Sequence, residues 1–190
     1  KHGFAAFDEI VARVRAERIE TWEAIEGEFI VTVEAFDREY SQGTHEQGWY
    51  QAKARYFNDI IVGLLSNKSH RNVSARRKKK SRLFDLIDVD ICFPEADVPT
   101  IAGEVKALGT PPHPRNHGKA RSGSSDLHKR VREVAFTSMD LKAVYARPQP
   151  IGSFQQWIDA TSPGYFSFWA IRAKDDSDLQ KVRSTLTSLR

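Results

Sequence analysis

Residues Leu83–Leu108 read LFDLIDVDICFPEADVPTIAGEVKAL and divide at a proline-bearing loop, Pro94 to Pro99, into two short β-prone runs. In the first run Ile87, Val89, Ile91 and Phe93 alternate with Asp88 and Asp90, which predicts a strand with its apolar residues on one face and both aspartates on the other. In the second, the same period sets Glu104 and Lys106 on one face and Ile101, Val105 and Ala107 on the opposite one. Two such strands side by side gather two or three carboxylates and an ammonium. Clustered carboxylates repel one another unless a hard divalent cation lies among them, and Mg²⁺ is usually held by one or two protein carboxylates, with water and substrate phosphate completing its shell. That combination suits hydrolysis of a phosphodiester.

An acid-x-Lys triplet means little alone, since a chain of this composition holds roughly one or two by chance. This one holds two, Glu104-Val105-Lys106 and Asp140-Leu141-Lys142. Only the first lies in an apolar strand that ends at a glycine, Gly109, and follows another acid-bearing strand. Without a metal, the same residues would form an ordinary exposed sheet face, with Lys106 pairing to Asp88 or Asp90 across the strands.

On these residues, an aspartate followed on the next strand by Glu-x-Lys, the chain resembles the PD-(D/E)XK nuclease superfamily and, within it, the type II restriction endonucleases. The resemblance covers roughly residues 47 to 145. It implies a mixed α/β fold in which helices flank a central mixed β-sheet. It also implies Asp90 or Asp88, together with Glu104, as ligands of Mg²⁺ (Mn²⁺ being a substitute), and Lys106 as the cation that positions the attacking water. The proline that often precedes the first acid is missing, Ile87 and Val89 standing there, so Asp88 and Asp90 remain alternatives. Restriction-type members often add an acid from the preceding helix, expected here over Tyr50–Ser66, and Asp59 or Glu46 fills that place. The activity so implied is a Mg²⁺-dependent endonuclease acting on double-stranded DNA, with a homodimer favoured by symmetry where both strands are cut. The alternatives are a non-catalytic nucleic-acid-binding module and a repair, recombination or RNA-cutting nuclease on the same fold.

At 190 residues the chain fits one domain, able to bury roughly 70% of the surface its unfolded form exposes. Its expected parts are a helical portion over 1–45, a catalytic core over 47–175 and a closing helix over 175–190. A start at Lys1 without methionine fits a domain cut from a longer protein. The single cysteine, Cys92, excludes a disulfide framework and a CxxC zinc pair, and makes a reducing, cytoplasmic setting, prokaryotic for a restriction enzyme, the default. No apolar run is long enough for a membrane span and no signal-like segment opens the chain.

The formal charge is +4, and the positive residues are concentrated. Arg76, Arg77, Lys78, Lys79 and Lys80 form one group, and Arg115, Lys119, Arg121, Lys129, Arg130 and Arg132 form a second. Both flank the acidic strands, a layout in which bases neutralise phosphates on either side of the one to be cut. The bland reading of the first group is a solvated loop or a nuclear import signal.

Elsewhere, Phe4–Glu26 has helical apolar spacing and predicts one long amphipathic helix, while Phe29–Phe36 is compatible with helix or strand. Asn67–Ser81 reads as a polar, basic connector. Gly109–Ser125 is rich in Pro, Gly and Ser and reads as a long mobile loop, either an insertion or a segment that embraces DNA. Ser124 or Ser125 can cap a helix from Asp126 that buries Leu127, Val131, Val134 and Met139 and turns His128, Lys129, Arg130 and Arg132 outward. In the resembled family the corresponding helix borders the active site, which makes Lys129 and Arg132 candidates for phosphate contact. Lys142–Ala146 and Tyr165–Ala173 read as strands, Pro148–Gly164 as irregular, and Asp175–Leu189 as a helix capped by its aspartates. His45-Glu46 lacks the second histidine of a zinc-protease helix, Trp49 standing there, and prolines 111, 112 and 114 prevent His113 and His117 from sharing a helix face.

Overall fold

The computed structural model describes residues 4–43, 47–94, 99–145 and 164–188. Among them five α-helices and four strands follow in the order α1 Ala5–Ala16, α2 Glu26–Ser41, α3 Gln47–Ser69, β1 Ser74–Lys80, β2 Leu86–Phe93, β3 Ile101–Leu108, α4 Leu127–Tyr145, β4 Gly164–Ile171 and α5 Asp176–Thr187. The strands form one mixed sheet in the order β1-β2-β3-β4, antiparallel except for the parallel pair β3/β4. The expected mixed α/β architecture is therefore present. Both sheet faces are covered. Phe166, Phe168 and Ala170 of β4 pack with Ile91 and Val105 against the α1–α3 core, whereas Tyr165, Trp169 and Ile171 meet residues of α4 and α5. Gly103 lets β3 and β4 approach this closely, because a Cβ there would stand 2.7 Å from the Phe166 carbonyl oxygen.

The α1–α3 core is largely aromatic. Phe36 stacks on Trp49 with centroids 4.0 Å apart, Phe7 stacks on Tyr56 at 4.8 Å, and the Tyr56 hydroxyl accepts the Phe4 N–H at 2.8 Å. The long helix expected over Phe4–Glu26 stops at Ala16. Arg18 adopts a left-handed conformation (φ 54°), and the Ile19 N–H turns back to the Val14 carbonyl at 3.1 Å, the C-terminal turn that glycine usually makes. Asn67 of α3 then donates to the carbonyls of Val14 and Ile19, both at 2.8 Å, and seals the reversal. Phe29–Phe36 is helical, within α2.

Three more expectations are corrected. The basic connector contains edge strand β1, whose seven residues include Arg76–Lys80; charged side chains on an edge strand discourage pairing with another chain. Lys142–Tyr145 is the last turn of α4, so no strand lies there, and Met139 on α4 is 61% exposed instead of buried. Gly109–Ser125 is held by its own bonds: Thr110 and Arg121 form a two-way bridge at 2.9 Å, His113 is buried and stacks on Tyr40 at 4.3 Å, and two 3₁₀ turns cover Pro114–Asn116 and Gly123–Asp126. Ser122, not Ser124 or Ser125, accepts from the Ser124 N–H to open the turn that runs into α4. Residues 148–163 of the irregular segment, and His45-Glu46, lie outside the described residues.

That loop is tied to α5 through Asp178. Asp175 caps α5 as expected, accepting the Asp178 N–H at 2.9 Å. The Asp178 carboxylate itself faces the loop, accepting from the Ser122 hydroxyl and from the Lys174 N–H at 2.9 Å. Desolvation pushes Asp178 upward, but hydrogen bonds from Ser122, Ser124 and Lys174 outweigh it and hold its pKa at about 2, below the ordinary 3.8. Since the folded value lies below the unfolded one, this carboxylate contributes its full stabilisation above about pH 4 and loses it as pH falls toward 2. Asp178→Asn should lower stability near neutrality by about 1–3 kcal/mol. The gap to the parent protein should close between pH 4 and 2 in urea titrations; a pH-independent gap would contradict this tie.

Candidate active site at the splayed strands

The β1/β2 ladder pairs Ala75 with Ile91 and Arg77 with Val89, but skips Arg76 and Asp90 between them. Arg76 there has φ 50°, a left-handed conformation that is costly for a non-glycine residue inside a strand. The alternation of faces slips at this point. Ile91 packs with Val105 and Ala75 on the α1–α3 side, while Val89 joins Cys92, Ala102 and Leu141 on the α4 side. The sequence expectation of a single apolar face for Ile87, Val89, Ile91 and Phe93 is thereby corrected, and so is the common face for Asp88 and Asp90.

The β2/β3 ladder also ends here, after Ile91 pairs with Gly103. In place of a backbone acceptor, Asp90 Oδ2 takes the Val105 N–H at 2.9 Å, a side chain substituting for the missing rung where the strands part. Burial is the main effect on Asp90 and pushes its pKa up; the Val105 N–H and the Lys106 charge pull it down, and the nearby Glu104 raises it again.

Glu104 is only 5% exposed. Its Oε2 pairs with the Lys106 ammonium, and its Oε1 accepts from the Tyr165 hydroxyl at 2.6 Å. Tyr165 reaches it because β4 runs parallel beside β3, with Tyr165 in register with Ala102 and Ser167 with Glu104. Burial, then the Glu104 charge and hydrogen bond, push the phenol far above its ordinary value, so it remains a donor across the physiological range; Thr137 of α4 reaches the same phenol.

The structure thus brings Asp90, Glu104 and Lys106 together. Asp88 stands apart, with its side chain 80% exposed and its carboxylate 3.9 Å from Lys78. Asp59 of α3 is paired with Arg76 Nη1 at 2.7 Å, and Arg76 in turn lowers the pKa of Asp90, so Asp59 bears on the cluster through that arginine. The basic run on β1 divides across the pleat: Arg76, Lys78 and Lys80 are exposed, whereas Lys79 is 5% exposed and Arg77 is half-buried. Lys79 and Arg77 are therefore removed from the expected DNA-facing set. Arg115 and Lys119 are exposed on the Gly109–Ser125 loop, and Arg121 is paired with Asp126 at 2.7 Å. Lys129 and Arg132 line an open groove of about 880 Å³ between α4 and the start of β2, together with His128, Ile87, Asp88 and Thr137.

Among the described residues no group of three or more His, Cys, Asp and Glu side chains forms a metal cage. Two carboxylates converge instead, which is the protein contribution Mg²⁺ usually takes. Each Glu104 oxygen has one protein donor and a second lone pair, and Asp90 takes its Val105 N–H on Oδ2 alone. The donor set fits a hard divalent cation. Tyr165, Thr137 and Arg76 were not legible as part of this cluster, since no short-range motif links them to it.

The chain matches no protein-family model, no curated protein and no solved structure.

The geometry separates two acidic and phenolic positions by burial alone. Tyr165→Phe leaves a buried carboxylate oxygen without its hydroxyl donor and should cost about 1–3 kcal/mol in chemical denaturation. Asp88→Ala, at an exposed site, should change stability by no more than about 0.5 kcal/mol. Equal costs would contradict the placement.

Proposed function

We propose that the chain is a Mg²⁺-dependent endonuclease that hydrolyses phosphodiester bonds in double-stranded DNA, of the restriction type. The observation that carries this reading is the convergence of Asp90, Glu104 and Lys106 where β2 and β3 part. A mixed sheet flanked by helices, the fold that the resemblance to the PD-(D/E)XK superfamily implies, supports it.

Asp90 and Glu104 are the groups that would hold Mg²⁺, or Mn²⁺ in its place; when bound, the ion supplies charge neutralisation at the phosphate and acidifies water. The remaining work falls to the chain's own side chains. Lys106, with 21% of its side chain exposed, is placed to orient the attacking water and offset its developing negative charge. Tyr165 fixes one Glu104 oxygen, so the carboxylate keeps a single orientation. Arg76, held by Asp59, adds positive charge beside Asp90. Lys129 and Arg132 on the groove, and Lys78 and Lys80 on the sheet edge, provide phosphate contacts. A homodimer would serve cleavage of both strands, and a buried free Cys92 suits a reducing prokaryotic cytoplasm. No helix among the described residues is long and apolar enough to cross a membrane.

A second reading is favoured by the Glu104–Lys106 pair itself, which is also what a purely structural sheet would contain. On that reading the chain binds nucleic acid through its basic residues and does not cut it.

Plasmid DNA incubated with the purified protein separates the two. Nicking or linearisation should require Mg²⁺ and stop with EDTA. Glu104→Ala should abolish it while leaving DNA binding intact, and Lys106→Ala should slow it by about 10²-fold or more. Mg²⁺-dependent cutting that survives Glu104→Ala refutes the assignment, and salt-sensitive binding without cleavage under any divalent ion supports the binding module.

A further inference from the structure

Eight large hydrophobic residues are exposed among the described residues, and five of them, Leu83, Phe84, Leu86, Phe136 and Met139, come from the β1–β2 turn, the start of β2 and α4. Phe84 is 59% exposed and Phe136 44%. Their ring centroids lie 6.3 Å apart at the rim of the groove that Lys129 and Arg132 line. Exposed apolar surface of this kind marks a contact site when the fold spends interactions on holding it out. Here it does. Asp140, 4% exposed, accepts from the Ser81 hydroxyl at 2.5 Å and from the Arg82 N–H at 2.7 Å, and Ser81 Oγ accepts the Phe84 N–H at 2.8 Å. The turn carrying Phe84 is therefore locked onto the helix carrying Phe136, and both rings face water in a fixed setting.

The groove behind them holds His128, Lys129 and Arg132. Of its two acids, Glu133 is paired with Arg130 at 2.6 Å and Asp88 is an exposed side chain 3.9 Å from Lys78. Thr137 lines the same groove and reaches Tyr165, which holds Glu104. Cations and a tilted aromatic pair thus share one groove, whose wall residue Thr137 touches the tyrosine that holds Glu104. A second copy of this chain would bring the same cations against themselves, whereas a nucleic-acid strand supplies phosphates for the cations and a flat π face for the rings. Leu83 and Leu86 beside Phe84 are apolar groups of the sort that wedge between base steps.

We propose that this groove takes a nucleobase removed from its stack, stacked on the exposed face of one of the tilted pair Phe84 and Phe136 and met by the edge of the other, their planes being 63° apart, while Lys129 and Arg132 bind the adjoining phosphates. The proposal rests on the nucleic-acid substrate argued above and narrows it: the strand is engaged where it is unpaired or locally opened.

Fluorescence anisotropy in EDTA, with a labelled single-stranded oligonucleotide and its fully paired duplex, tests this without cleavage. Phe84→Leu with Phe136→Leu keeps apolar bulk but removes both rings; it should weaken single-strand binding by about tenfold and change duplex binding by less than about twofold. The double tyrosine variant should retain parent affinity. Parent-like single-strand binding by the leucine pair overturns the proposal and leaves the nuclease reading standing. So does a parent dimer that Phe84→Ser with Phe136→Ser dissociates in sedimentation velocity without changing nucleic-acid affinity, which would make the patch a subunit contact. Binding of neither oligonucleotide by the parent protein overturns this proposal and the nucleic-acid reading together.

Discussion

A carboxylate as enclosed as that of Glu104 must be met by donors, and the two that meet it come from different strands, Lys106 on β3 and Tyr165 on β4. An unpaired ionised carboxyl at such a position would cost several kcal/mol, so the β3/β4 register is constrained at the same point that the site is built. Moving β4 by one residue would turn Tyr165 to the opposite face and leave Glu104 with the lysine alone. The close backbone approach allowed by Gly103 belongs to the same constraint, since it brings the two strands into parallel contact over eight residue pairs from Ile101 to Leu108. On the other side of β3, the ladder to β2 is given up after three pairs and Asp90 fills the gap with its side chain. One neighbour of β3 is thus pinned and the other released. This asymmetry opens the acidic cluster while leaving the sheet continuous.

What the sequence discloses follows how local each determinant is. Alternation over β2 and β3 is a two-residue pattern, so the strands, Glu104 and Lys106 could be located from neighbours alone, whereas the choice between Asp88 and Asp90 could not. The face reversal at Asp90 could not, because it depends on a left-handed Arg76 in the partner strand, fourteen residues away and of a type that rarely adopts that conformation. The end of α1 was hidden for a similar reason: Arg18 occupies the position where a glycine would have announced a stop. β1 was hidden by composition. A run of Arg and Lys has no apolar alternation to read, and it becomes a strand because the edge of β2 offers it backbone partners. Tyr165 joins the site through strand pairing across 61 residues, which no motif records. The Gly109–Ser125 loop has the composition of a mobile segment, yet beside its internal Thr110–Arg121 bridge it is held by Tyr40, Arg172 and Asp178, which lie outside it.

The chain contains a second buried acid–lysine pair, and comparing the two shows why only one is a candidate for chemistry. Asp37 of α2 accepts from Tyr50 at 3.1 Å and faces Lys53 at 3.4 Å, both on α3, while Arg172 beyond β4 meets its other oxygen at 3.2 Å. Tyr50 is also 3.1 Å from the Gly109 carbonyl, so the network joins α2, α3 and the ends of β3 and β4. It borders a larger groove, of about 1120 Å³, than the one beside α4. Volume does not decide the matter; charge does. One carboxylate is shared there by two cations, so the cluster carries an excess of positive charge, and burial lowers the pKa of Lys53 against the opposing pull of Asp37. Such a site has no use for a divalent cation and is saturated as a structural clamp. At the splayed strands the balance is reversed. Lys106 pairs with Glu104, Glu104 raises the pKa of Asp90, and the charge that Arg76 adds beside Asp90 is balanced by Asp59, so three carboxylates face two cations. The negative charge left over is what a hard cation would relieve, and it lies on the α4 side of the sheet, where Thr137 connects it to a groove lined with bases.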